Sequence, residues 1–466
     1  MHNSIQNMLS RGYRPLAFYA DADNSLICLM GNDDAHKLEL MRFPFPEGGT
    51  YPSLSGISKE FYMYERELWE ETGLIPQSHP WLKPVRYPHN RPELVLKEHP
   101  FLTATSESMH EVAVGPVHAG VIEPGQFRFL CEGEDVHHLE IQLGYQHRGI
   151  RKLLERDDIR SKIHIAEAIA GDTAIGHGLA YCRAVEALCG VDVPDAVQRV
   201  RAIALEMERV AMHLADLSAL AGDIAYLTGL NYFAAVRTKV INLSLNVCGS
   251  RFGKRWLCPG GIHYGIGNEK NHYMIKLLTT IREDIRVMGT AMFNDSGVLS
   301  RFDGTGHVDA AAIHDLHFVG MAARSGGVLR DTRKAYPFTP YDQFPQSIVL
   351  PQGDVFARAF LRYKESLQSI DFCIDLLTDL PDTPAHTPKL PEPQRDVISA
   401  SIVEGWRGEI VHLIRTDKNG ETVSYRVYDP SFHNWMALAL AVRNNGISDF
   451  PICNKSFNLS YCGNDL

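Results

Sequence analysis

The chain has 466 residues, 45% hydrophobic and 22% charged, with a formal net charge of −10. That length exceeds one ordinary core and points to two or three globular domains. The acidic balance excludes nucleic acid as a main partner, because phosphate binding rests on Lys and Arg patches. No run of ~20 apolar residues occurs, so no segment is expected to span a bilayer. Residues 1–10 show no basic stretch followed by an apolar one, so no signal peptide is expected. Nine scattered cysteines without a CxxC pair suit reduced cytoplasmic thiols better than a disulfide framework.

In chain order, residues 1–90 read as a small α/β-sandwich-like domain. Its strands fall at 16–19, 25–30 and 38–43. A helix over 58–71 is expected to be capped by Ser58 and closed by Gly73. Pro88, Pro92 and Pro100, with polar residues between them, mark residues 91–112 as a linker. Residues 126–131 and 138–143 form a hairpin around the acidic turn 132–135. The turn His147-Arg148-Gly149 follows, and then helices. Long ones are expected over 194–226 (capped by Asp192), 232–247 and 268–288. In the first of these, Glu206, Arg209, His213 and Asp216 share one face. Such a stripe is either a salt-bridged helix face or a buried proton network. Residues 300–350 are irregular and 353–377 are helical. A second hairpin, 410–415 with 423–427, turns at Asn419-Gly420. The fold class is α+β: the small N-terminal domain joined to a large, mainly α domain with a helical-bundle core and peripheral β-hairpins.

Three motifs run in order: Gly115-Pro116-x-His118, Glu123-Pro124-Gly125-x-Phe127-Arg128-Phe129 and Tyr145-x-His147-Arg148-Gly149-x-x-Lys152-Leu153-x-Glu155. Together they resemble the large catalytic subunit of membrane-bound (group 4) nickel-iron hydrogenases and the homologous 49 kDa-type subunit of respiratory complex I. Arg330-Asp331-x-Arg333, Glu404-Gly405-x-Arg407-Gly408-Glu409 and Asp429-Pro430-Ser431-Phe432-x-Asn434 extend the resemblance over residues 113–466. Upstream, Tyr64-Glu65-Arg66-Glu67, Gly73 and His79-Pro80-Trp81-Leu82 are similar to the 30 kDa-type subunit of complex I. A competing reading is a Nudix box, in which Glu67, Glu70 and Glu71 would hold Mg²⁺. Pro52 and Ser58 stand where that motif needs glycine and glutamate. A solvated acidic helix face is the third reading.

The resemblance implies four cysteine thiolates around nickel and iron, arranged as two CxxC pairs. Placing the family's following histidine on His177 puts Ala170 and Thr173 at the first pair, and Ser460 and Gly463 at the second. All four ligands are absent, so no metal is expected at these degenerate positions. Arg151 stands where the family has a glutamate linked to proton traffic, and a guanidinium stays charged. The two quinone contacts of the complex I relative fall on Ile122 and about Gly171. The remaining candidates are His118, His147, Arg148 and His177. His147 and Arg148 are expected to face an iron–sulfur cluster in a partner or to form a structural turn. His118 braces its loop or lines a cavity, and His177 faces the vestigial pocket or is a satisfied core histidine.

The implied protein is a cytoplasmic, peripheral subunit on the inner face of the cell membrane. It would be an oxidoreductase subunit related to hydrogenase and NADH:quinone oxidoreductase. Its implied partners are an iron–sulfur small subunit and membrane subunits. It binds no cofactor of its own and moves electrons from the partner's cluster toward a quinone or other acceptor. The alternative is a non-catalytic scaffold in the same assembly. A deep apolar cleft ending at His118 and His177 favours the first, and a filled pocket the second.

Overall fold

The N-terminal apolar segments fold as an antiparallel meander of β1 (Arg14–Ala20), β2 (Ser25–Asn32) and β3 (Lys37–Pro44). The structure is a computed structural model that describes residues 1–118 and 122–466. β3 is the exposed edge, and its Lys37 and Glu39 discourage further strand pairing. Helix α1 (Tyr62–Thr72) packs on β1. Gly73 ends it at φ 79°, a left-handed conformation that glycine adopts without a Cβ penalty. Ser58 does not cap this helix. A 3₁₀ turn over Lys59–Phe61 intervenes, and the α-helix begins at Tyr62.

The apolar core built by residues 5–85 is completed by Ile402, Val411, Leu413, Tyr428 and Phe432. These belong to a second meander and the helix after it, which are numbered below in chain order. Charge ties the same two regions together. The Arg14 guanidinium grips both Glu409 oxygens at 3.0 and 2.6 Å, and Arg426 donates to Glu71 at 2.6 Å.

The end of the expected linker is a strand. β4 (Met109–Val114) pairs with β5 (Gln126–Glu132), which turns through Gly133-Glu134 into β6 (Asp135–Gln142). The polar residues around it conceal this strand, because only Val112 and Val114 pack on the core. The short helix α2 (Ile150–Glu155) follows the His147 turn, and α3 (Ala174–Cys189) comes next.

Four long helices form the bundle: α4 (Asp195–Asp223), α5 (Leu227–Cys248), α6 (Asn268–Met292) and α7 (Val355–Thr378). α4 packs on α5 and α7, and α6 packs on the same two. Pro194 occupies the cap position of α4, and no Asp192 side-chain bond caps it. Next come β7 (Ile398–Glu404), β8 (Glu409–Thr416), β9 (Thr422–Tyr428) and α8 (Pro430–Ala441), and the chain closes with two short helices, Phe450–Phe457 and Tyr461–Asp465. α3 packs across β7 and β8.

The charged stripe of α4 is fully buried rather than partly so. Glu206, Arg209 and His213 are each 0% exposed and Asp216 is 1% exposed. Glu206 accepts from Arg209 at 3.0 Å, from Ser369 at 2.5 Å and from Tyr341 at 2.6 Å. His213 bonds Glu365 at 3.0 Å, and Arg362 pairs with Asp216 at 2.8 Å. Glu365 also accepts from Arg324 and Arg333, both at 2.7 Å. Every charge of the stripe faces an opposite charge, which is the condition for tolerating ions in a core.

Candidate functional site

Two guanidinium groups define the site. Gly149, at φ 68°, gives the turn before α2 its left-handed step, and Arg148 is presented beside it. Arg148 donates to the carbonyls of Ala168 at 2.8 Å, Ile169 at 2.9 Å and Cys462 at 2.9 Å. It thus joins the loop before α3 to the segment after residue 458. Arg407, in the β7–β8 turn, makes the second bridge. It binds both oxygens of Asp172 at 2.7 Å, touches Thr173 Oγ1 at 3.1 Å and donates through Nε to the Asn458 carbonyl at 2.5 Å. Paired N–H donors facing a carboxylate make this a strong and directional contact.

Ala170, Thr173, Ser460 and Gly463 are therefore gathered around these bridges, and all four are buried. A Cβ at Gly463 would lie 2.7 Å from the Asp429 carboxyl carbon, so Asp429 takes up that room. Ser460 Oγ accepts from the Gly463 amide at 2.9 Å. Asp429 caps α8 through the Ser431 amide at 2.7 Å and reaches His177 Nε2 at 3.0 Å. His177 Nδ1 lies 3.1 Å from His412 Nε2, and His412 Nδ1 lies 2.8 Å from the Tyr425 hydroxyl.

One proton arrangement satisfies this whole chain. Tyr425 donates to His412 Nδ1, His412 Nε2–H donates to His177 Nδ1, and His177 Nε2–H donates to the Asp429 carboxylate. Both imidazoles are then neutral. Burial pushes His412 well below the usual histidine range. Burial raises the Asp429 carboxyl, but the His177 hydrogen bond and the Arg407 charge outweigh it and hold it low.

The residues present do not fit a nickel-iron group. Soft metals need bridging thiolates, and the four positions offer a methyl, two hydroxyls and a hydrogen. Cys462 stands apart, 3.4 Å from Ser460 Oγ. Among the described residues, no group of three or more His, Cys, Asp and Glu side chains is arranged to hold a metal ion.

The other candidates lie around this centre. His147 Nδ1 bonds the Asp465 carbonyl at 2.7 Å, and the Asp465 carboxylate accepts from the Gly144 and Gln146 amides, both at 2.9 Å. His118 braces its own loop through Nε2 to the Gly125 carbonyl at 2.8 Å. It takes no part in the His177 chain. Ile122 is 46% exposed.

The glutamates of α1 are committed elsewhere, which removes the Mg²⁺ reading and the solvated-face reading alike. Glu67 pairs with Arg86 and Arg151, and Glu71 pairs with Arg151 and Arg426. Glu70 accepts from the backbone amides of Val85, Arg86 and Tyr87. Each of the three carboxylates is already paired with a guanidinium group or bonded to backbone amides, which leaves no free set for a hydrated cation. Arg151 has thus exchanged a family carboxylate for an ion pair with the N-terminal region.

Sequence reasoning missed His412 and Tyr425. The first strand of that hairpin is buried on nearly all positions and the second shows no regular alternation, so nothing marks an inward polar residue. Arg407, Asp429 and Asp172 lay within or beside recognised motifs, but only the fold brings them onto Thr173 and His177.

Below the loop, Glu208 on α4 accepts from the Ile175 amide at 2.7 Å and the Gly176 amide at 3.0 Å. Burial pushes its carboxyl up to about 8, against the pull of those amides. A folded value above the unfolded one means that the unfolded chain binds fewer protons in between, so stability falls as pH rises from about 4.5 to 8. Glu208→Gln is expected to flatten that slope. Urea midpoints measured from pH 5 to 8 check this, and parallel profiles for both proteins would refute it.

The helical bundle flanked by small antiparallel sheets is the architecture expected of a hydrogenase-type large subunit. Residues 223–401 match the family described as respiratory-chain NADH dehydrogenase, 49 Kd subunit. The carbon monoxide-induced hydrogenase of Rhodospirillum rubrum is 30% identical over 359 residues, covering 75% of this chain and 98% of that protein. The NADH-quinone oxidoreductase subunit 4 of Thermus thermophilus is 27% identical over 364 residues, covering 72% of this chain and 89% of its own. Among solved structures, an archaeal respiratory membrane complex, the membrane-bound sulfane sulfur reductase, contains a chain with the same fold. The TM-score is 0.71 at 23% identity, over 78% of this chain and 100% of that one. The chain belongs to the family of membrane-bound hydrogenase large subunits and 49 kDa-type subunits of complex I. Among the described residues, no helix is long and apolar enough to cross a membrane.

Proposed function

We propose that this chain is the large peripheral subunit of a membrane-bound redox complex of the hydrogenase and complex I type, on the cytoplasmic face, working without a nickel-iron centre. It docks an iron–sulfur small subunit and membrane subunits, and electrons pass from the partner's cluster toward a quinone-like or other acceptor. The carrying observation is that the family framework is kept while the segments around Ala170, Thr173, Ser460 and Gly463 are tied by three separate contacts, Arg148 to the Cys462 carbonyl, Arg407 to Asp172 and His177 to Asp429. The first of these holds the His147 turn in place, which is the surface the resemblance assigns to the small subunit.

A second reading is a non-catalytic scaffold of the same assembly. It is favoured by His177, which has no exposed surface and has both ring nitrogens bonded. Purification of the complex from membranes separates the two. Co-purifying iron–sulfur and membrane subunits, with iron but no stoichiometric nickel, are expected under both. Reduction of an added quinone by the complex is expected only under the first. Stoichiometric nickel with hydrogen evolution would refute both.

A further inference from the structure

A cavity of about 290 Å³ opens between α1, the segment at residues 86–90 and the His147 turn. Arg86, Arg151, Arg426 and Lys152 line it, together with Glu71 and Glu155. Arg86 is buried and Arg151 and Arg426 are half-buried, with side chains 5%, 12% and 14% exposed in that order. Their partners are shared. Arg86 and Arg151 both use Glu67, and Arg151 and Arg426 both use Glu71. Two carboxylates therefore serve three guanidinium groups.

The nearby acids do not make up the difference. Glu70 directs its oxygens to three backbone amides, and Glu155 accepts from the Tyr425 amide at 3.0 Å. Each guanidinium keeps one buried N–H without a partner among the described residues: Arg86 Nη2, Arg151 Nε and Arg426 Nε. These three atoms are closed to water-sized space, so a donor that meets the cavity is another guanidinium N–H or the Lys152 ammonium.

We infer that this cavity binds a small oxyanion, a phosphate or carboxylate group, on the guanidinium groups of Arg86, Arg151 and Arg426 with Lys152 beside them. Planar guanidinium forks match the oxygen edge of either group. The volume equals that of about ten waters at ~30 Å³ each, so the group can belong to a larger polar molecule. Burial and then the neighbouring Arg151 depress the Arg86 pKa, and an added anion would relieve that repulsion. The inference is independent of the redox reading, since it uses no metal or quinone.

The test is calorimetric titration of the purified chain with inorganic phosphate and, separately, with succinate, at matched chloride. Saturable binding of one or both is expected, and the stronger of the two identifies the group. Lys152→Glu lies on an exposed side chain and is expected to weaken binding about tenfold while the protein stays folded. Arg86→Gln is expected to abolish binding, and should that variant misfold, Lys152→Glu decides alone. No saturable binding of either anion at millimolar concentration overturns the inference. So does binding that Lys152→Glu leaves unchanged.

Discussion

Replacing Glu365 by alanine is expected to lower the unfolding free energy by about 3–5 kcal/mol, the usual cost of stripping one partner from a buried ion pair. Glu365 is 0% exposed and is the shared acceptor of Arg324, Arg333 and His213. Its loss leaves two guanidinium groups short of a counter-charge where water cannot reach them. Burial alone would raise the Glu365 carboxyl, but Arg324 and Arg333 hold it well below the usual range. A depressed carboxyl contributes stability that is full above its unfolded value of ~4.3 and is lost as pH falls through the folded one. The deficit of the variant is therefore full at pH 7 and narrows below about pH 4. Urea unfolding at both pH values measures it. A deficit under ~1 kcal/mol at pH 7 would mean that the pair adds no more than an exposed one.

Arg151→Glu restores the residue type the family resemblance implies, and here it is expected to be damaging. The new carboxylate would meet Glu67 and Glu71, the present partners of Arg151. Two attractive contacts would become repulsive, and Glu67 would keep only Arg86. The expected loss is about 3 kcal/mol, the low end for a buried pair, because Arg151 and Glu71 border the cavity. The double variant Arg151→Glu with Glu71→Arg should recover part of it, and the double-mutant cycle isolates the pairing. Equal stability of Arg151→Glu and the parent chain would show that this contact does not hold the N-terminal region in place.

The elements that could be read from sequence were those with local signals. Gly73, Asn419-Gly420 and the apolar periodicity of α4 to α7 each act within a few residues. The strand Met109–Val114 escaped because it lies at a sheet edge and only half its residues reach the core. Among the site residues, Ala170, Thr173, Ser460 and Gly463 were paired from sequence by the family register, and the fold buries all four around the Arg148 and Arg407 bridges. What replaces the thiols was not legible. The Arg148 and Arg407 bridges join segments far apart in the chain, and the inward direction of His412 depends on a strand buried on both faces. The three guanidinium groups of the cavity come from residues 86, 151 and 426, and no local pattern links them.

The shared core of β1, β2, α1 and the last meander has a consequence for synthesis. Residues 5–85 leave the ribosome with part of their apolar surface uncovered, because Val411, Leu413 and Phe432 complete it. Those residues follow roughly 340 positions later, which at about 5–20 residues per second is a wait of some ~20–70 s. During that interval the nascent N-terminal region presents an unfinished hydrophobic face, and a chaperone holding it is the natural guard against aggregation.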